Sequence, residues 1–339
     1  MSNPPRSGHK ATPATRATGR DRAAAAAYRH DRLRLRHLRL LELVDRGGSL
    51  GSAARGLGIS QPAATLLLRE LETVFDATLV ERDARGARLT AAGRHALDRL
   101  TIALSSVARA IDAARQAAIE PPLRLGCIQV AGVSELPAAL ARLDAAGTLG
   151  RLQLREGRAR ELFAALCAGE LDCVIGWIDE SLTEGLPVGE LDVAPLRYGR
   201  MRVVAARSHP LARSRAVSVA ELARWRWIVP PPGSRTHAAY LRLFLHDGIP
   251  APPVTVECPA LHSMLRVVSA TQLLAVAPDA AAAHYAQLGM VTPLKGPRLR
   301  LDRNQVAVVT RRDSAALPAV RLLRQALLAG RAATTALRG

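Results

Sequence analysis

Gln61, Pro62, Thr65 and Arg69 recur at helical spacing on one side of a short segment, and together they carry chemistry that tells one base pair from another. A Gln amide can pair bidentately with adenine, a Thr methyl can touch the thymine methyl, and an Arg guanidinium can reach guanine or a phosphate. A few residues on, Arg82, Arg85 and Arg88 put three cations into a short Gly-centred stretch, where they would meet flanking phosphates or a minor groove. A solvated polar face would carry similar residues, so the reading depends on the elements that hold them.

Those elements are marked by their punctuation. Leu35, Leu38, Leu41 and Val44 form the apolar stripe of a first helix, which Gly47 and Gly48 terminate. Ser49 is placed to cap a second helix over residues 50–57, whose small pair Ala53 and Ala54 lets another helix cross closely. Gly58 and Ile59 make a tight turn. Ser60 then caps a third helix with Pro62 in its first turn, where a missing N–H costs nothing. Ala64, Leu67, Leu68, Leu71 and Phe75 make the apolar side of that helix, opposite Gln61, Pro62, Thr65 and Arg69. Helix, short turn and capped helix is the helix-turn-helix pattern. Residues 79–89 read as a hairpin beside the third helix, a wing. Thr90 caps a long Ala-rich helix to about residue 119, and Pro121 and Pro122 end it. Leu97, Leu100, Leu104, Val107 and Ile111 recur along it at spacings of three and four, which predicts a dimer contact.

The chain has 339 residues, enough for two or three domains, and 47 Lys+Arg against 29 Asp+Glu give a formal charge of +18. That excess favours a polyanionic partner, although nearly all of it is Arg, with Lys only at Lys10 and Lys295, so coding bias contributes beside function. Residues 1–30 lack apolar periodicity and read as a disordered basic tail, and 331–339 as a flexible one. No stretch approaches the roughly 18 apolar residues of a membrane span, and no signal segment is evident, so a cytoplasmic location without a membrane partner is expected. Beyond Pro122, β-type segments at 123–130, 151–154, 173–177, 201–206 and 305–310 alternate with amphipathic helices, which predicts an α/β domain with largely parallel sheets.

Enzyme chemistry finds little support. Cys127, Cys167, Cys173 and Cys258 form no CxxC pair and have no His at zinc-ligand spacing, so they read as reduced core residues. The nine histidines form no HExxH, and there is no GxSxG elbow, P-loop or GxGxxG. Neither a catalytic site nor a metal or other cofactor is expected. The alternative from another class is a cytoplasmic small-molecule-binding protein whose N-terminal helices only dimerise.

The run GGSLGSAARGLGISQPAATLLLRELETVFDATLVERDARGARLTAAG, residues 47–93, resembles the LysR-type transcriptional regulators. The order of its parts carries the resemblance: Gly48 and Ser49, Ala53 and Ala54, Leu57, Ser60 with Gln61 and Pro62, Leu71 with Glu72, Leu79, Arg82, and Leu89 with Thr90 and Gly93. Thr65 stands where the family usually has Ser, Asp76 where it has Gly, and Val80 where it has Phe. LRLG at 123–126, GELD at 169–172 and HPLA at 209–212 continue the resemblance more loosely. It implies an N-terminal all-α winged helix-turn-helix (31–90) and a linker helix (91–120). A C-terminal α/β two-lobed domain (121–330) resembling periplasmic solute-binding proteins would follow. Lobe I would cover about 122–196 and 303–330, lobe II about 197–302, with hinges near 193–196 and 299–303. The implied partners are double-stranded DNA, a small-molecule effector, further copies of the chain as a dimer of dimers, and RNA polymerase. The DNA-contacting candidates are Ser49, Ser60, Gln61, Pro62, Thr65, Arg69, Arg82, Arg85 and Arg88.

Solute-binding α/β folds take ligands at the C-terminal ends of strands and at helix N-termini. That rule selects Gln129, Val130 and Ala131 after one strand, Trp177 after another, and Ser234 with Arg235 after the turn at residues 230–233. A hydroxyl, a cation and free backbone N–H groups suit a small carboxylate or phosphate, or a sugar derivative. Ser234 could equally serve only as a helix cap. Ala270, Thr271 and Gln272 replace the family's Gly-x-Gly, which predicts a narrower pocket floor.

Overall fold

The computed structural model describes residues 33–83, 86–115, 121–178, 188–296 and 299–336, and divides into two compact units at Leu104/Ser105. The basic tail expected over 1–30 lies outside the described residues.

The first unit begins with α1 (Leu35–Gly47), α2 (Leu50–Leu57) and α3 (Gln61–Phe75), followed by the hairpin of β1 (Val80–Asp83) and β2 (Gly86–Leu89). Its core gathers Leu38, Leu40, Leu41 and Val44 from α1, Ala53 and Ala54 from α2, and Ala64, Leu67, Leu68 and Leu71 from α3. The two alanines have the size that a close helix crossing requires. Two residues assigned to apolar faces lie outside this core: Leu35 is 47% exposed and Phe75 36%. Each sits at a helix terminus, one turn beyond the packed part of its stripe, and Leu40 is fully buried on α1. The long helix α4 (Ala91–Arg115) adds Ala96 and Leu100 to the same core. Its expected extension toward 119 lies outside the described residues.

The second unit opens with β3 (Leu123–Cys127), α5 (Gln129–Val133), α6 (Glu135–Ala145), β4 (Leu152–Glu156), α7 (Ala159–Cys167) and β5 (Cys173–Ile178). The 16-residue strand β6 (Leu191–Ala206) leads into a second lobe: α8 (Val219–Leu222), β7 (Trp227–Val229), α9 (Arg235–Leu245), β8 (Val254–Glu257), α10 (Leu261–Ala270), β9 (Ala275–Pro278), α11 (Asp279–Gln287) and β10 (Val291–Pro293). The chain returns along β11 (Arg300–Arg311) to α12 (Pro318–Ala336). Strands β3, β4 and β5 pair in parallel, as do β7 and β8. The sheet is nonetheless mixed: β11 runs antiparallel to both β5 and β6, and β6 antiparallel to β9 and β10. A chain that crosses between lobes along one strand and returns along its neighbour must pair the two in opposite directions. The β6–β11 register slips between Leu301 and Asn304, and again between Val306 and Ala307, where the partner jumps from Arg197 to Pro195.

Two further expectations are corrected. The strand expected over 123–130 ends at Cys127, because Ile128 starts the turn into α5. The flexible tail expected from 331 is helical through Ala336. Among the described residues no helix is long and apolar enough to cross a membrane.

Packing fixes the helix ends that later form a site. Trp227, Tyr240 and Phe244 meet in tilted and edge-on pairs with centroids 5.1, 5.5 and 5.4 Å apart, anchoring α9 against β7. Arg311, 3% exposed, donates to the carbonyls of Leu166 and Leu171 at 2.8 and 3.0 Å, satisfying the C-terminal end of α7. Arg124 and Asp172 form a bidentate pair that ties β3 to the turn before β5.

Candidate DNA interface and effector cleft

The serines act as caps: the Ser49 Oγ accepts from the Ser52 N–H at 3.1 Å, and the Ser60 Oγ from the Ala63 N–H at 3.4 Å. Gly58, at φ +65°, closes α2, and the Ile59 N–H reaches the Ala54 carbonyl at 3.0 Å. This fixed turn sets the direction of α3. Gln61, Pro62 and Arg69 are exposed on it, and Thr65 is half-buried. The Thr65 hydroxyl donates to the Gln61 carbonyl at 3.1 Å, so its donor is spent inside the helix. Leu66, 59% exposed, lies beside this face and was not anticipated.

The wing is strapped to the rest of the unit. The Ala87 N–H donates to the Gly48 carbonyl at 2.9 Å, and Gly86 takes φ +135° with no room for a Cβ, which would fall 2.3 Å from that oxygen. At its other end, the Glu72 Oε1 accepts from the N–H groups of Leu79 and Val80 at 2.8 and 3.3 Å. The role of Glu72 is invisible in sequence, because its partners lie seven and eight positions away. Register pairs Glu81 with Arg88 and Arg82 with Ala87, so the two described arginines occupy opposite faces of the ribbon. Both are exposed, but only Arg88 shares its face with Glu81. Arg85 lies outside the described residues.

His37, 1% exposed, accepts from the Arg34 N–H through Nδ1 at 2.9 Å and meets the Glu70 carboxylate through Nε2 at 3.1 Å. The Nδ1 contact places the ring proton on Nε2.

In the second unit, a cavity of about 870 Å³ opens between the lobes. Of the residues selected from strand ends and helix starts, Gln129, Val130, Trp177, Ser234 and Arg235 line it; Ala131 does not, being fully buried in α5. The Ser234 Oγ accepts from the His237 N–H at 3.1 Å and so caps α9. Arg235 donates to the Asn304 Oδ1, and its guanidinium lies 5.9 Å from the Trp177 ring centroid. Arg197 lies equally far from the same ring and holds Glu135 of α6 and Asp279 of α11. The Gln129 Oε1 accepts from the Leu261 N–H at 3.0 Å, a hydrogen bond from lobe I to the start of α10 in lobe II. Ala270, Thr271 and Gln272 are not among the cavity walls, so their replacement of a glycine pair does not narrow the floor; the Thr271 hydroxyl instead bonds the Val267 carbonyl at 2.8 Å. Sequence reasoning missed Arg158, Arg160, Thr236, Glu156 and Glu161, all of which line the cavity.

Cys127, Cys167, Cys173 and Cys258 form no disulfide. Burial, reinforced by Glu156, pushes the Cys127 thiol up to about 12, and burial with Asp172 does the same for Cys173. Among the described residues no His, Cys, Asp and Glu cluster could hold a metal ion.

Two family profiles cover most of the chain: the bacterial regulatory helix-turn-helix protein, lysR family, matches residues 35–94, and the LysR substrate binding domain matches residues 116–332. The chain belongs to the LysR family of transcription regulators. Among its relatives, the HTH-type transcriptional regulator CbbR of Xanthobacter flavus is 31% identical over 296 residues, 84% of each chain. PcaQ of Agrobacterium fabrum is 28% identical over 228 residues, 67% of this chain and 72% of its own. A full-length OxyR variant from Pseudomonas aeruginosa shares the fold, with a TM-score of 0.54 at 21% identity over 87% of this chain and 94% of that one. This LysR regulator therefore joins a DNA-binding helix-turn-helix to an effector-binding domain, and its relatives are regulators rather than enzymes.

Proposed function

We propose that this regulator reads a partly palindromic duplex site through Gln61, Pro62, Thr65 and Arg69, with Arg82 and Arg88 of the wing on the backbone. The observation that carries the reading is the sorting of α3: Ala64, Leu67, Leu68 and Leu71 are buried while Gln61, Pro62 and Arg69 are exposed. Ser49 and Ser60 are spent on helix caps, which leaves their backbone segments to approach phosphates. Leu97, Leu100 and Leu104 of the α4 stripe pack on the first unit's own core, and the pairing of two chains rests on its far end, where Val107 is half-buried and Ile111 is 47% exposed. Two such dimers would form the working tetramer, acting in the cytoplasm and contacting RNA polymerase.

The interlobe cavity is the effector site in this reading, and Arg235 favours a small carboxylate or phosphate. The register slips in β6 and β11 are the hinges, and an effector alters DNA geometry insofar as it prefers one lobe arrangement. The test is a mobility shift with the purified chain on DNA flanking its own gene and on random duplex, with light scattering in parallel. Selective retardation by a dimer or tetramer is expected; equal retardation of both duplexes, or a monomer at micromolar concentration, would contradict it.

A further inference from the structure

Resting on the reading that the interlobe cavity holds the effector, we propose that its ligand carries two separated anionic groups. One is held on lobe I by Arg158 and Arg160, the other on lobe II by Arg235, so that the ligand ties the lobes together. All three guanidinium-bearing residues line the same cavity. Arg158 takes the N-cap position of α7 at the end of the turn that leaves β4, Arg160 lies in the first turn of α7, and Arg235 opens α9 across the cleft.

Several arginines of this domain are already spent on carboxylates. Arg124 is held by Asp172 at 3.0 Å and Arg311 by Asp313 at 3.1 Å, while Arg324 pairs with Asp192 and Arg197 with Glu135. Among the described residues, the side chains of Arg158 and Arg160 have no hydrogen-bond or ion-pair partner, although Glu156 and Glu161 line the same wall. Two exposed cations on the wall of a cavity, neither held by a carboxylate, are available to an anion that enters it. A carboxylate or phosphate offers them charge-assisted, bidentate hydrogen bonds.

Trp177 strengthens the case for charge over aromatic stacking. Trp177 is 6% exposed and its ring lies under the guanidinium group of Arg235, which lines the cavity, so the cleft presents that cation where an aromatic face would otherwise be available. The cavity, about 870 Å³, is also large for a single small acid, since pockets of about 300–1,000 Å³ enclose drug-sized ligands. A ligand reaching both walls would add charged anchors to the lobe-to-lobe bonds of Gln129 with Leu261, Arg197 with Glu135 and Arg235 with Asn304.

The test is calorimetry on the full-length protein with matched probes. These are the α,ω-dicarboxylates from succinate to suberate against the monocarboxylates of equal length, and fructose 1,6-bisphosphate against fructose 6-phosphate. At least one doubly anionic probe should bind about tenfold tighter than its partner. Arg158→Ala/Arg160→Ala should bring it down to the affinity of the singly anionic probe without weakening the latter, and Arg158→Lys/Arg160→Lys should restore part of the gain. Arg235→Ala should weaken both probes, whereas Arg321→Ala, an exposed site on α12, should change neither. Equal affinities within every pair, or equal losses for both probes in the lobe I variant, would overturn the two-anchor inference while leaving the cavity reading standing. Failure of every anion to bind the folded wild-type protein would overturn both, with the dicarboxylate and bisphosphate arms showing which anion class is taken.

Discussion

Replacing Gly93 with Ala sets two opposing effects against each other in the first turn of α4. Ala is favoured over Gly in a helix interior by about 0.8–1.0 kcal/mol, so propensity alone predicts a more stable protein. The structure predicts the reverse. A Cβ at Gly93 would stand 2.0 Å from the Leu79 carbonyl oxygen, where a close carbon–oxygen contact is about 3.3 Å, and the obstacle is backbone that cannot rotate away. That oxygen accepts from the Thr90 N–H at 3.0 Å, while the Thr90 Oγ1 donates to the Thr78 carbonyl at 2.7 Å and accepts from the Gly93 N–H at 2.9 Å. Relief of the clash must pull α4 away from β1 and stretch this cluster. Overpacking costs about 1–3 kcal/mol and each weakened hydrogen bond about 1, so after the propensity gain the variant should lose about 2 kcal/mol. All three tryptophans, Trp177, Trp225 and Trp227, belong to the second unit, so their fluorescence is blind to this loss. Hydrogen exchange of peptides over 79–93 is the suitable assay. Protection there should fall by more than tenfold, with DNA affinity falling alongside. An Ala variant with unchanged or greater protection would refute the steric argument.

Asp76 holds a left-handed φ of +51° after α3, so Asp76→Gly should stabilise the first unit by about 1 kcal/mol and Asp76→Val should destabilise it, measured by the same exchange. Burial lowers the pKa of His209 below its ordinary 6.5, so the folded state binds fewer protons than the unfolded chain; the stability this confers above pH 6.5 should be lost progressively as pH falls below it, and denaturation monitored by tryptophan fluorescence should show that slope flattened in His209→Gln. With their thiols raised to about 12, Cys127 and Cys173 should resist iodoacetamide at pH 8 while Cys167 and Cys258 react, and their contribution to stability, complete below 9.0, should decline above it; early alkylation of Cys127 would contradict the burial argument.

The first unit was legible because short-range signals decide it. Ser49, Ser60 and Thr90 cap helices whose starts they mark, and Gly48 and Gly58 adopt the left-handed conformation that ends the preceding ones. Phe75 and Leu35 escaped the pattern because helical spacing does not reveal where a helix outruns its neighbours. The second unit depends on long-range pairing. Segments such as 123–130 and 173–177 announce themselves as strands, but which partner each takes, and in which direction, follows from a crossing that no local pattern encodes. The effector candidates show the same division: Ser234 and Arg235 were found from a Pro-Gly turn before a helix, whereas Arg158 and Arg160 were missed because β4 was expected to stop at 154 and runs to Glu156.

Whether α3 reads bases while the wing grips the backbone is decided by fluorescence anisotropy of Gln61→Ala and Arg82→Ala on cognate and random duplex across a salt series. Gln61→Ala should lose about 1–3 kcal/mol on the cognate site alone, with its salt slope unchanged. Arg82→Ala should weaken both duplexes alike and reduce the slope of log affinity against log salt by about 0.9, one phosphate contact. Equal losses on cognate and random DNA for both variants, with no change in slope for either, would contradict it.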